Sequence, residues 1–335
     1  MSKRKFESTT GGNAELSSEI VDFLIIGAQK AGTMALLKNL NKHPDIYLLP
    51  QECHFFDLYW HLGLNWYKSK FRTSKPIKGE KTPELIYVDA CAPRIKEVCP
   101  KAKFILCLRD PVKRAYSSWN MEINRGLEEL PFDECVDREL TTMMGEMRSY
   151  GTSQYHYIQR GFYYEQIIRF MKIFPDKNQL LIVIAERMRQ HPDEEYSKIF
   201  KFLGARDIRL QVEEDHVGSY SKPMSTRQEA KLRKIFAPHN ERLFKFLGYR
   251  VSEWETDQPK ILSKDAAKPQ STNSTVIIAN NDIKSNCKSI SVEVSNLVIE
   301  TSSANKLNNS AVMVSSNEKF TSDETRTCGT TGSDI

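Results

Sequence analysis

Two short segments carry residues suited to holding phosphate. Gly27-Ala28-Gln29-Lys30-Ala31-Gly32-Thr33 follows the apolar run Phe23-Leu24-Ile25-Ile26 and leads into Met34-Ala35-Leu36-Leu37-Lys38-Asn39-Leu40. Strand, glycine loop and helix in that order aim backbone N–H groups and a helix N-terminus at an anion, and Lys30 adds a full positive charge. The second segment, Leu108-Arg109-Asp110-Pro111-Val112-Lys113-Arg114-Ala115-Tyr116-Ser117, also follows an apolar run. Asp110 suits an N-cap and Pro111 a first helical position, which sets Arg109 at a strand's carboxyl end and Ser117 two turns into a helix. Arg109 then offers a fork of donors to a phosphate and Ser117 a hydroxyl.

Two further segments carry proton-transfer chemistry. In Gln51-Glu52-Cys53-His54-Phe55-Phe56-Asp57, carboxylates and an imidazole stand beside aromatic residues, giving a general base in a restricted pocket. A hydroxyl acceptor must lose its proton as it attacks, and Glu52 is the expected base, with His54 as the alternative. Gly79-Glu80-Lys81-Thr82-Pro83 supplies Lys81, a cation for a transferring group or an acceptor. Each segment also has a structural reading: a glycine turn, an arginine over a surface loop, Phe55 and Phe56 as core with a satisfied His54, and a solvated Lys81. Cys53 reads as buried filler.

The elements that must position these residues follow from hydrophobic patterning. Apolar runs at Phe23–Ile26, Ile46–Leu49, Phe104–Leu108 and Leu180–Ile184 are separated by amphipathic stretches long enough for crossover helices. That spacing predicts an α/β fold, a parallel sheet with helices on both faces. Helical periodicity recurs over Lys198–Leu203 and Gln228–Phe236, and over Glu241–Leu247, which stops at Gly248. Residues 1–19 are polar and expected to be disordered, 20–255 form the folded part, and 256–335 are a low-complexity tail rich in Ser, Thr, Asn, Asp and Lys.

The 335 residues are 40% hydrophobic and 27% charged, ordinary globular values. A net charge of +5 fits anionic ligands but is too small to indicate nucleic acid. Seven scattered cysteines without paired spacing point to reduced thiols. No signal peptide and no 18-residue apolar run are visible, so a cytoplasmic protein without a membrane span is expected.

The glycine loop resembles a P-loop with its lysine displaced: Thr33 stands directly after Gly32, where nucleotide-triphosphate loops place lysine. This variant is similar to the 5'-phosphosulfate loop of sulfotransferases that use 3'-phosphoadenosine 5'-phosphosulfate (PAPS). The pair Arg109 and Ser117 resembles their 3'-phosphate grip. In order, LIIGAQKAGTMALL (24–37), HPDI (43–46), ECHFFD (52–57), GLNWY (63–67), EKTPELIY (80–87), LRDPVKRAYSSW (108–119), RGFYYEQIIRFMKIFP (160–175) and PHNERLFKFLG (238–248) resemble carbohydrate sulfotransferases. The likeness is to the heparan sulfate glucosaminyl 3-O-sulfotransferases and their bacterial relatives.

The resemblance implies a P-loop NTPase-like three-layer fold and residues 20–255 as a sulfotransferase domain. It assigns Lys30, Ala31, Gly32, Thr33 and Met34 to the 5' side of PAPS, Arg109 and Ser117 to the 3'-phosphate, and Lys222 to a cofactor-closing loop. Glu52 is implied as base, with Lys30 stabilising the leaving group and His54, Asp57 and Lys81 as active-site and acceptor neighbours. No metal is expected, since the transferred group is a monoanion. The acceptor is expected to be a glycan hydroxyl, with a small-molecule hydroxyl, phenol or amine as the alternative, and Trp60, His61, Trp66, Tyr67, Arg72, Lys75 and Lys78 surround its expected mouth in sequence. The animal heparan enzymes carry a membrane anchor and a disulfide before the C-terminal loop; here no cysteine lies between Cys135 and Cys287, which weakens the inference to heparan sulfate. Two rivals stay open: a P-loop kinase, which should carry Lys and Ser or Thr after the second glycine and a magnesium-binding carboxylate, and a non-catalytic PAPS or glycan binder.

Overall fold

The computed structural model describes residues 20–144, 155–213 and 223–255. The segments expected to be disordered, 1–19 and 256–335, lie outside the described residues, as does Lys222.

The chain runs β1 (Phe23–Gly27), α1 (Thr33–Leu40), β2 (Ile46–Leu48), α2 (Gly63–Lys68), β3 (Ile77–Lys81), α3 (Cys91–Val98), β4 (Lys103–Leu108) and α4 (Pro111–Asn124). It continues with α5 (Phe132–Met144), α6 (Tyr163–Met171), β5 (Leu180–Ile184), α7 (Ala185–Gln190), α8 (Pro192–Leu203) and α9 (Thr226–Leu247). The strands form one sheet in the order β2-β3-β1-β4-β5, with every pairing parallel. All five residues of β1 are buried, and side chains alternate across a strand, so both faces of the sheet are covered. The parallel α/β architecture expected from the apolar runs is therefore present, in the P-loop NTPase-like arrangement with the glycine loop after the central strand.

The four apolar runs became β1, β2, β4 and β5; the fifth strand, β3, was not anticipated. Its sequence, Ile-Lys-Gly-Glu-Lys, lacks an apolar run, yet Gly79, Glu80 and Lys81 are buried. It lies between β1 and β2, so the strand preceding the Glu52 segment is not beside β1. Gly79 is needed there because a Cβ would meet the Phe23 ring at 2.5 Å. The two helical stretches expected near the C-terminus are one helix, α9, which continues through Pro238. Its buried face, Leu232, Phe236, Leu243, Phe244 and Leu247, outweighs the one lost backbone hydrogen bond. Ser225 and Gln228 close its start as a capping box, and Gly248 ends it in the left-handed conformation.

A main core surrounds the sheet, and a second cluster joins α4, α5 and α9 through Val112, Tyr116, Phe132, Leu232 and Phe236. The carboxyl ends of β3, β1 and β4 are neighbours in the sheet, so the turns after Lys81, Gly27 and Leu108 emerge side by side. In open parallel sheets this is the edge where ligands bind.

Candidate active site

The glycine loop is held by its own backbone and by β4. Gly32 takes φ 90° as the N-cap of α1, a conformation that costs glycine little. The Ala28 amide donates to the Cys107 carbonyl at 2.7 Å, and the Cys107 thiol donates to the Ala31 carbonyl at 2.9 Å. Arg109 donates from Nη1 to the Lys30 carbonyl at 3.1 Å, so the two expected phosphate grips are in contact. The Arg109 Nε is buried without a hydrogen-bond partner among the described residues, as are those of Arg114, Arg160 and Arg233. Ser117 is buried on α4, two turns beyond Arg109.

Asp110 anchors this end. It caps α4 by accepting from the Val112 amide at 3.0 Å, and Arg233 of α9 meets both its oxygens at 3.1 and 2.8 Å. The Asp110 amide in turn donates to Glu186 at 3.2 Å, whose other oxygen accepts from the Trp254 indole at 3.0 Å. The N-cap expected from sequence is thus also the point where α9 and the end of the fold grip the site.

The second end is a chain of charges. Lys81, only 1% exposed, donates to Glu52 at 2.5 Å and touches the Met34 sulfur at 2.9 Å. Glu52 also meets the His54 Nε2 at 3.1 Å, and Asp57 meets the His54 Nδ1 at 2.8 Å. Burial pushes the Glu52 carboxyl up, but hydrogen bonds and charge from His54 and Lys81 outweigh it and hold the group at about 2. His54 is lifted to about 10, first by its hydrogen bond to Asp57 and then by that to Glu52, against burial. Its ring is an imidazolium at neutral pH.

The turn is fixed from below. His54 has φ 50°, its amide donates to the Thr82 hydroxyl at 3.3 Å, and its carbonyl accepts from the Leu58 and Tyr59 amides at 3.0 and 2.8 Å. Arg94 donates to the Phe56 and Asp57 carbonyls at 2.6 and 3.2 Å. Under it, burial raises Glu80 to about 7 although Tyr67 donates to it at 2.8 Å.

A family pattern for the sulfotransferase domain matches residues 21–244. This chain belongs to the sulfotransferase family. It is 33% identical over 194 residues to heparan sulfate glucosamine 3-O-sulfotransferase 3B1 of Mus musculus, covering 57% of this chain and 48% of that protein. Against heparan sulfate glucosamine 3-O-sulfotransferase 6 of Homo sapiens it is 32% identical over 187 residues, covering 55% and 52%. The chain spans about half the length of these curated relatives. A sulfotransferase from Alicyclobacillus acidocaldarius, 26% identical, superposes with a TM-score of 0.59 over 70% of this chain and 98% of that one.

In this sulfotransferase domain, two of the residues expected around the mouth have interior roles. Tyr67 is buried under Phe55, their rings stacked at 4.5 Å. Lys75 donates to the carbonyls of Asn41, His43 and Ile46, which makes it a clamp between α1 and β2. Cys53 is buried as expected, and burial raises its thiol to about 12. Sequence reasoning missed Gln29, Glu84 and Arg160 as site residues, although all three lie inside quoted segments. Gln29 donates to Glu84 at 2.8 Å, and Arg160 stands 3.7 Å from the same Glu84 oxygen. Atoms of Glu52, His54 and Glu84 that could ligate a metal lie within 4.8 Å of one another, but Lys81 and the imidazolium already place positive charge on Glu52. A cleft of about 550 Å³ lined by Lys113, Glu186, Arg189, Arg233 and Glu253 shares residues with the Asp110 network and none with the Glu52 cluster.

Proposed function

We propose that this chain moves the sulfuryl group of PAPS to an acceptor hydroxyl, a carbohydrate hydroxyl first among the candidates. One observation carries the reading: the Lys81 ammonium touches both Met34, at the start of the glycine-loop helix, and Glu52. The acid–base residues therefore open directly onto the phosphate-binding loop. Family membership and the names of the relatives, several of them heparan sulfate glucosamine 3-O-sulfotransferases, support the same chemistry.

Arg109, with its unpartnered Nε, and Ser117 are suited to the 3'-phosphate, while the backbone of Lys30 to Met34 and the Lys30 ammonium suit the 5' side. Glu52 accepts the proton of the acceptor hydroxyl. The freed oxygen bonds to sulfur, the sulfur–oxygen bond to the nucleotide breaks, and adenosine 3',5'-bisphosphate leaves with the electron pair. Lys30 and the loop amides oppose the charge growing on the leaving oxygen. With Lys81 and His54 both on it, Glu52 is a weak base. A sulfuryl oxygen that draws the Lys81 ammonium away strengthens that base as the donor arrives. His54, protonated already, holds Glu52 in place and is the poorer candidate for base.

The kinase alternative is disfavoured because Thr33, not lysine, follows Gly32 and Arg109, not a carboxylate, directly follows β4. Lys81 and His54 supply cations beside the base, so turnover is expected to survive chelation of divalent metals. Five buried free cysteines, Cys53, Cys91, Cys99, Cys107 and Cys135, support a reducing, cytoplasmic setting; among the described residues no helix is long and apolar enough to cross a membrane. Calorimetry with adenosine 3',5'-bisphosphate and ATP tests the donor half: much tighter binding of the bisphosphate is expected, and equal affinities overturn it. Transfer from radiolabelled PAPS to a panel of glycans and small hydroxylated compounds tests the acceptor half.

A further inference from the structure

Glu80 is fully buried near the end of β3 and takes no part in the proton transfer. Successive residues of a strand face opposite ways: Lys81 reaches Glu52, while Glu80 turns toward Tyr67 and Thr82. The Tyr67 hydroxyl donates to Glu80 Oε1 at 2.8 Å and the Thr82 hydroxyl to Oε2 at 3.4 Å. Burial raises the Glu80 carboxyl to about 7 against those two hydrogen bonds; the Asp57 charge adds to the rise and His54 opposes it. The carboxylate therefore prevails at pH 8.

Thr82 links this carboxylate to the turn that carries the base. It is itself fully buried, its amide extends the β1–β3 ladder by donating to the Ile25 carbonyl at 3.2 Å, and its hydroxyl oxygen accepts from the His54 amide at 3.3 Å. A threonine hydroxyl has one proton and two lone pairs, so giving the proton to Glu80 turns a lone pair to His54. His54 needs that hold. Its φ of 50° lies in the left-handed region, which is costly for a residue with a Cβ and persists only where the surroundings fix it. The Leu58 and Tyr59 amides fix its carbonyl, and Thr82 fixes its amide. The ring on this backbone stands between Glu52 Oε2 at 3.1 Å and Asp57 Oδ2 at 2.8 Å, so a displaced His54 backbone displaces a partner of the base.

We propose that Glu80 is a positioning residue for the base: acting through the Thr82 hydroxyl, it fixes the His54 turn and with it the orientation of Glu52. This rests on the sulfotransferase reading above. The test compares the full wild-type chain with Thr82→Val, Glu80→Gln, the double variant and Thr82→Ser. Transfer at pH 8 from labelled PAPS to an N-acetylated glucosamine oligosaccharide gives kcat and KM, with kcat divided by the fraction of chains that bind adenosine 3',5'-bisphosphate in calorimetry. Thr82→Val keeps the shape and removes the hydroxyl. It is expected to lower kcat about tenfold, the rate equivalent of one hydrogen bond, with the KM for PAPS within about twofold of wild type. Glu80→Gln, which cannot accept from both hydroxyls, is expected to lower kcat in the same direction. The double variant should be no slower than Thr82→Val, because both changes cut one path, and Thr82→Ser, which restores the hydroxyl, should recover most of the rate. NMR titration of the His54 ring separates positioning from a general loss of stability: in Thr82→Val its midpoint should fall by about one pH unit as the ring leaves its carboxylates. An unchanged kcat in Thr82→Val, multiplying losses in the double variant, or an unmoved His54 titration overturns the proposal. If the wild type moves no label to the oligosaccharide, the carbohydrate acceptor fails while the His54 titration still decides the role of Glu80; absence of bisphosphate binding removes the donor reading.

Discussion

The end of the cleft proposed to face the nucleotide is made largely of backbone: the amides from Lys30 to Met34, the start of α1 behind Gly32, and a capped α4 behind Arg109. The end proposed to face the acceptor is made of side chains, with Glu52, His54, Asp57, Lys81 and Glu84 gathered from two separate segments. Backbone donors come with the fold and are insensitive to most substitutions, whereas a side-chain cluster depends on each member's charge. The first end is therefore expected to fail by losing an anchor and the second by losing a proton site.

The largest effect expected is on the side-chain end. Glu52→Gln should lower turnover at least about a hundredfold, the low end for removing a general base, while calorimetry finds adenosine 3',5'-bisphosphate binding retained. If turnover barely changes, the base is elsewhere and the contrast between the ends fails. On the backbone end, Arg233→Met leaves the Asp110 carboxylate, 1% exposed, without its charge partner. About 3 kcal/mol of stability should be lost, the lower end for a broken buried pair because Arg233 keeps 22% exposure. Chemical denaturation measures this, and a loss under about 1 kcal/mol would show that α9 does not hold the nucleotide end.

Arg109→Ala should then remove most of the preference for adenosine 3',5'-bisphosphate over ATP, with roughly 1.5–3 kcal/mol lost for hydrogen bonds to a charged group. An unchanged preference would move the 3'-phosphate to other residues. The smallest effect is the dependence of stability on pH. His54 is raised from 6.5 to about 10, so its contribution is full below about pH 6.5 and fades as pH rises toward 10. Glu52 is lowered from 4.5 to about 2, so its contribution is full above about pH 4.5 and fades as pH falls toward 2. Melting curves of the wild type and His54→Gln should differ most near pH 5–6 and converge toward pH 10; a gap independent of pH argues against a charged imidazole.

The two ends also differed in how plainly the sequence announced them. The glycine loop and the stretch from Arg109 to Ser117 are local motifs, and a glycine, an N-cap and an N1 proline each state their geometry within a few residues. The Glu52 turn offered acid–base residue types beside two phenylalanines, but the same residues also read as core and solvated surface, so residue type alone did not decide it. β3 was hidden because Glu80 and Lys81 are buried through partners the pattern cannot show: Tyr67 for one and Glu52 for the other. Glu84 was hidden for a related reason, since its partner Gln29 lies fifty-five residues away. Tyr67 and Lys75 went the other way. Residue type suggested a surface role, and packing against Phe55 and three carbonyls of the α1–β2 connection gave them interior ones.

The hydrogen bond between the Arg109 guanidinium and the Lys30 carbonyl ties the two grips to each other before any nucleotide arrives. In the proposed reading this bond couples the separation of the two grips, so the cleft favours one opening, as a caliper lightly held at a setting does. Such a gauge measures the span between a ligand's two phosphates in addition to counting their charges, and a regioisomer of identical charge with its phosphates set differently would sit badly in it.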